Sequence, residues 1–202
     1  MASSTQSVTK FETNSKKKLI IVHGWEGSPD HGWSPWLKGV MKEKGWEVHA
    51  PALPNANDPK IHDWLPALIK ISGKVDTNTY MVGHSLGCIT ILRFLETLPD
   101  KETIGGAILV AGFDNPLGHK ELGTFFEASI NWEKIKRSCS KFVVIHSEDD
   151  PYVPADNGIR FKNKLGAKKI LVNGYRHFSG DDGTTSLPVL LQELLEISNS
   201  PK

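Results

Sequence analysis

The segment Tyr80-Met81-Val82-Gly83-His84-Ser85-Leu86-Gly87 sets a serine between glycines that stand two positions away on either side. An apolar run precedes this G-x-S-x-G spacing and a helical pattern follows it, as in a nucleophile elbow. In such an elbow the serine sits on a tight strand-to-helix turn. Side chains at Gly83 and Gly87 would collide with neighbouring backbone. The turn lifts the Ser85 hydroxyl above the sheet edge and leaves the Leu86 N–H, at the helix N-terminus, facing a developing oxyanion.

A serine hydroxyl is a weak nucleophile at neutral pH unless a base takes its proton. On a strand–turn–helix scaffold of this kind the chain order is serine, acid, histidine. Of the eight histidines, only His177 lies C-terminal to the candidate acids. It follows the apolar run Ile170–Val172, in Asn173-Gly174-Tyr175-Arg176-His177-Phe178. His84, inside the elbow, reads as a packing residue that points away from the hydroxyl. His23 and His146 close strands and read as satisfied structural histidines. The acid comes from His146-Ser147-Glu148-Asp149-Asp150-Pro151-Tyr152-Val153-Pro154, where adjacent carboxylates compete. A D-x-x-V-P pattern selects Asp150, with Asp149 as the alternative. Its role would be to hold the His177 tautomer and stabilise the imidazolium. A second oxyanion donor is expected from Val22-His23-Gly24-Trp25: Gly24 admits a close approach, and the Trp25 N–H joins that of Leu86.

These groups need a rigid frame. The runs Leu19–Val22, Tyr80–Val82, Ala107–Ala111, Phe142–Ile145 and Ile170–Val172 are continuously apolar, as in strands buried on both faces of a parallel sheet. Trp46–Ala50 is more polar and reads as a strand nearer an edge. Trp33, Trp36, Leu37, Val40 and Met41 have helical spacing, as do Ile61, Trp64, Leu65, Leu68 and Ile69. A third stripe is Ile89, Leu92, Leu95 and Leu98, ended by Pro99. The last is Leu187, Leu190, Leu191, Leu194 and Leu195, behind a cap at Ser186 with Pro188 in the first turn. Alternating strands and helices predict an α/β fold, a three-layer α/β/α sandwich around a mostly parallel sheet. Residues 18–202 read as one domain and residues 1–17 as a loose, disordered tail. Asn55–Pro59 reads as turn chemistry.

Composition limits the partners. With 24 Lys+Arg against 23 Asp+Glu the net charge is +1, which gives no support to nucleic-acid binding. No apolar run reaches the roughly 20 residues that span a bilayer, so no membrane association is expected. The two cysteines suit reduced thiols and a cytoplasmic setting. No H-x-x-x-H or C-x-x-C cluster appears, so neither a metal nor another cofactor is expected.

The chain resembles the α/β-hydrolase superfamily, and within it the small serine hydrolases of the YdeN and retinoblastoma-binding protein nine type. The residues that carry this are Ile20-Ile21-Val22-His23-Gly24-Trp25, His31-Gly32-Trp33-Ser34-Pro35-Trp36-Leu37, Asp63-Trp64-Leu65, the elbow through Cys88, Asn131-Trp132-Glu133-Lys134-Ile135, Asp149-Asp150-Pro151 with Val153-Pro154, and Gly174 with His177-Phe178. The resemblance implies a minimal cap and a Ser85–Asp150–His177 triad, with the second Asp of the pair as the acid. Phe113, Phe125, Phe126 and Trp132, between Gly112 and Cys139, would form a small apolar wall beside Gly24 and over Ser85. Such a cleft suits a small or medium acyl substrate. The expected activity is hydrolysis of small carboxylic esters, with amides and thioesters as further substrates. Other readings stay open: a non-catalytic interaction module on this scaffold, or an acyltransferase with the same triad. The oligomeric state is not legible.

Overall fold

The structure, a computed structural model, describes residues 16–200. Its strands are β1 (Lys18–Val22), β2 (Glu47–His49), β3 (Thr79–His84), β4 (Gly106–Val110), β5 (Phe142–Ser147) and β6 (Lys168–Val172). They form a six-stranded sheet in the order β2-β1-β3-β4-β5-β6, parallel at every pairing. The helices are α1 (Ser34–Glu43), α2 (Ile61–Ser72), α3 (Leu86–Thr97), α4 (Trp132–Ser138), α5 (Asn157–Leu165) and α6 (Pro188–Asn199), with a 3-10 turn at Lys120–Phe125.

Strand side chains alternate between two cores, as the pleat requires. Leu19, Ile21, Tyr80, Val82, Ile108, Val110, Val143 and Ile145 face Trp33, Leu37 and Met41 of the α1 segment and Leu190, Leu194 and Ile197 of α6. Ile20, Val22, Met81, Ala107, Leu109, Phe142 and Val144 face α2 through α5, with Trp64, Leu68, Ile135, Phe161 and Leu165. This is the three-layer α/β/α arrangement predicted, with helices covering both faces of a parallel sheet. β2 is a short, half-exposed edge strand, as its polarity implied.

Two readings need adjustment. Ser186 does not cap α6; the N-cap is Leu187, with no side-chain bond. Pro188 removes one of the N–H groups that a cap would serve. The tail over 1–17 lies outside the described residues except for Lys16 and Lys17, and the Lys17 ammonium donates to the Ser198 carbonyl at 2.9 Å. No helix among the described residues is long and apolar enough to cross a membrane.

Register fixes where the strands end. Val22 pairs with Gly83, His84 with Val110, and Ser147 with Val172. The chain therefore leaves β1, β3, β5 and β6 at the same edge of the sheet. After β1 the order runs to β2 on one side and to β3 on the other. Ligands of open α/β sheets sit in the crevice at such a reversal. Gly24 and Ser85 emerge on its two sides.

Candidate active site

Ser85 sits between β3 and α3 at φ 52° and ψ −118°, a conformation that a non-glycine residue holds only when its surroundings impose it. Here the Ser85 N–H donates to the Val110 carbonyl at 2.8 Å, and the Ser85 carbonyl accepts from Cys88 N–H at 2.9 Å. The flanking glycines permit the turn. A Cβ on Gly83 would stand 2.9 Å from the Cys88 backbone, and one on Gly87 would strike the Val22 carbonyl and lie 2.7 Å from that of His23. Gly87 thus lets the N-terminus of α3 rest on the end of β1.

The Ser85 hydroxyl is 3.0 Å from His177 Nε2, across 92 positions of sequence. The opposite ring nitrogen, Nδ1, lies 2.9 Å from Asp150 Oδ2 and 3.1 Å from Oδ1. A carboxylate only accepts, so Nδ1 carries the proton and Nε2 is free to accept from the hydroxyl. The Asp150 side chain is 1% exposed, and its Oδ1 also accepts the N–H groups of Tyr152 (2.9 Å) and Val153 (3.0 Å). Those bonds give the D-x-x-V-P pattern its physical meaning: the turn after Asp150 folds back on its own carboxylate and aims it.

Asp149 does something different. Its Oδ1 accepts from Ser147 Oγ, Gly174 N–H and Arg176 N–H, which holds its carboxyl below the usual range, the Ser147 bond contributing most. It pins the loop ahead of His177 and does not touch the imidazole. Asp182, which no motif singles out, anchors the same loop. It accepts from the His177 N–H at 3.1 Å, Ser179 Oγ at 2.7 Å and Arg176 Nε at 2.9 Å. Burial alone would raise its pKa, and these bonds bring it below the usual value. The only sequence signal was a short Ser/Gly/Asp turn after His177. Arg176 and Phe178, on either side of His177, both have positive φ (46° and 57°), so the loop needs such anchors.

His84 is more than packing. Its Nε2–H donates to the His177 carbonyl at 2.7 Å, and its ring stands between Trp33 and His177. Burial first, and then the nearby His177, push its pKa down to about 3, so it stays neutral. Tyr152, 65% exposed, sets its ring edge-on to His177 at 5.2 Å.

A cleft of about 390 Å³ opens over Ser85. Gly24, Trp25, Leu86 and Phe113 line it, together with Leu117, Leu122 and Val153. Neither the Trp25 N–H nor the Leu86 N–H has a hydrogen-bond partner among the described residues. A Cβ placed on Gly24 would be 3.0 Å from that of Ser85. The remaining expected wall residues are elsewhere. Phe126 packs behind Phe113 with the rings tilted at 6.0 Å, Trp132 meets Phe161 at 6.2 Å, and Phe125 is fully buried beside Trp64. The 3-10 turn draws Phe125 inward and leaves the cleft wall to Leu117 and Leu122. Asn55–Pro59 is more than a turn: the carbonyls of Ala56 and Asn57 accept from Glu26 N–H and Trp25 Nε1, bracing the Gly24–Trp25 segment. Among the described residues no group of three or more His, Cys, Asp or Glu side chains could hold a metal ion.

Comparison with known proteins places these features in context. The family model described as serine hydrolase matches residues 19–196. The chain is 37% identical over 179 residues to YdeN of Bacillus subtilis (strain 168), covering 88% of this chain and 94% of that protein. The crystal structure of the ydeN gene product aligns with a TM-score of 0.86 at 35% identity, covering 92% of this chain and 100% of that one. Serine hydrolase RBBP9 of Rattus norvegicus is 29% identical over 173 residues, covering 83% of this chain and 90% of the relative. Est1E from Butyrivibrio proteoclasticus, in its structure with ferulic acid, shares the fold alone, at a TM-score of 0.67 and 15% identity over 88% of this chain and 89% of that one.

Proposed function

We propose, from the premise that the chain belongs to the serine hydrolase family and is an α/β-hydrolase-type enzyme, that it hydrolyses small carboxylic esters through an acyl-enzyme on Ser85. The observation that carries this reading is the unbroken relay from the Ser85 hydroxyl through His177 to Asp150, at 3.0 Å and 2.9 Å, on the floor of an open cleft.

In the proposed reaction Ser85 Oγ attacks the acyl carbon while His177 Nε2 takes the hydroxyl proton. Asp150 keeps the proton of Nδ1 in place and stabilises the imidazolium. The carbonyl oxygen becomes an oxyanion, held by the Leu86 and Trp25 N–H groups. Both residues line the cleft and neither N–H has a partner among the described residues, so in this reading they are free to bind the oxygen as charge develops. His177 then protonates the departing alkoxide and the C–O bond breaks. Water, deprotonated by His177, attacks the acyl-enzyme, and collapse returns the proton to Ser85 Oγ with release of the acid.

The apolar lining by Phe113, Leu117, Leu122 and Val153, and the modest volume, support an acyl group of small or medium size. The test is hydrolysis of p-nitrophenyl esters of graded acyl length by the parent chain and by Ser85→Ala. The expected result is a preference for short to medium chains and a fall in kcat of about 1,000-fold or more in the variant. Equal turnover by both proteins would overturn the proposal.

A further inference from the structure

His23, at the end of β1, is buried and edge-on to Trp64 at 5.2 Å. The Leu53 N–H donates to its Nε2 at 3.0 Å. That nitrogen is therefore the acceptor, and the ring proton sits on Nδ1. Nδ1 is 2.8 Å from the Gly24 carbonyl oxygen, to which it donates. The same oxygen accepts from Gly27 N–H at 3.1 Å.

The Gly24 carbonyl and the Trp25 N–H belong to one peptide unit. The chain has no cis peptide bonds, so the two groups point in opposite directions. Fixing the carbonyl against the imidazole therefore fixes the N–H on the far side. The residue that would let this peptide rotate is Gly24, whose missing Cβ leaves its backbone unusually free. The carbonyls of Ala56 and Asn57 hold the neighbouring Glu26 N–H and the Trp25 indole, not this amide plane.

We infer that His23 is a positioning residue for the oxyanion site: its Nδ1–H locks the Gly24–Trp25 peptide so that the Trp25 N–H faces the reacting carbonyl above Ser85. This rests on the hydrolase mechanism proposed above. The bonds accepted by the Gly24 oxygen also polarise the amide and make its N–H a better donor. The Leu53 N–H is the device that selects the tautomer, so a backbone group on one loop sets the hydrogen-bonding sense of another.

Two substitutions separate the ring nitrogens. In His23→Asn the side-chain amide N–H takes the place of Nδ1 and keeps the bond to Gly24. In His23→Gln the side-chain oxygen reaches the place of Nε2 and keeps the bond from Leu53, while the Gly24 carbonyl loses the imidazole donor and keeps only the longer bond from Gly27 N–H. Ester hydrolysis and inhibition by a trifluoromethyl ketone, whose hemiketal oxyanion occupies the same site, are measured for parent and variants. His23→Gln is expected to lower kcat about tenfold to a hundredfold with little change in KM, and to weaken the ketone by the same factor; His23→Asn restores both. Crystal structures of the variants add a readout that needs no turnover, with the Gly24–Trp25 peptide rotated in His23→Gln and unrotated in His23→Asn. An unrotated peptide or full kcat in His23→Gln overturns the positioning role, as does an equal loss in both variants. A parent with no Ser85-dependent turnover defeats the esterase reading instead, and the crystallographic comparison still decides the role of His23.

Discussion

The adjacent carboxylates at 149 and 150 show how much one position matters. Asp150 faces the imidazole of His177, and Asp149 faces the backbone of the loop that carries it. Asp150→Asn keeps the shape but presents an amide where the ring needs an acceptor, which favours the wrong tautomer. Its kcat should fall by about 1,000-fold or more, with the melting temperature little changed. Asp149→Asn keeps an oxygen for the Gly174 and Arg176 N–H groups, so steady-state kinetics should show a loss of about tenfold or less. Reversal of that order would reassign the acid. Ser85 and His177 were legible because a strained turn needs glycines at fixed offsets and because chain order leaves one histidine after the acids. His84 and Asp182 were not. Each acts on the main chain of the His177 loop, and a bond to a backbone group leaves no residue-type signature at its far end.

Among the elements, those with long apolar runs or stripes could be read directly: the strands, α1, α2, α3 and α6. α4 and α5 could not. α4 spans seven residues, of which only Ile135 and Ser138 are buried. α5 contributes Phe161 and Leu165 to the core from a nine-residue stretch broken by lysines. α4 is fixed by packing on α3, and α5 by packing on β5 and β6, not by their own periodicity. The 3-10 turn beside the cleft is clamped from α3 as well as held at Thr124, whose Oγ1 accepts from Ile61 N–H. Arg93 of α3 is 8% exposed. It donates to the carbonyls of Phe125 at 3.0 Å, Ala128 at 2.5 Å and Ser129 at 3.4 Å. Arg93→Met keeps the apolar stem but orphans those carbonyls. Urea unfolding should show a loss of about 2–4 kcal/mol, and limited proteolysis should cut first between residues 114 and 131. Unchanged stability would mean that the turn holds itself.

At the scale of the whole molecule, the sheet brings residues from distant parts of the sequence to one edge and buries neutral histidines around them. His23, His84 and His146 all have pKa values below the usual 6.5, with burial as the leading cause. In the unfolded chain each takes up a proton near pH 6.5, whereas the folded protein resists it. Stability should therefore be intact above pH 6.5 and decline as pH falls below it. Each suppressed proton costs up to about 1.4 kcal/mol per pH unit. Urea midpoints at pH 7.5 and pH 5.0 should differ accordingly, and His84→Gln should flatten the slope. The short edge strand β2 and the lysines at positions 168 and 169 of the opposite edge strand, β6, blunt the open rims of the sheet. The measurement that bears most directly on the convergence of Ser85, His177 and Asp150 is site-mapped labelling by a fluorophosphonate probe. The account predicts one adduct per chain, on the peptide containing Ser85, lost in Ser85→Ala and formed about a hundredfold or more slowly in His177→Ala. Equal labelling of parent and Ser85→Ala, or an adduct on another residue, would contradict it.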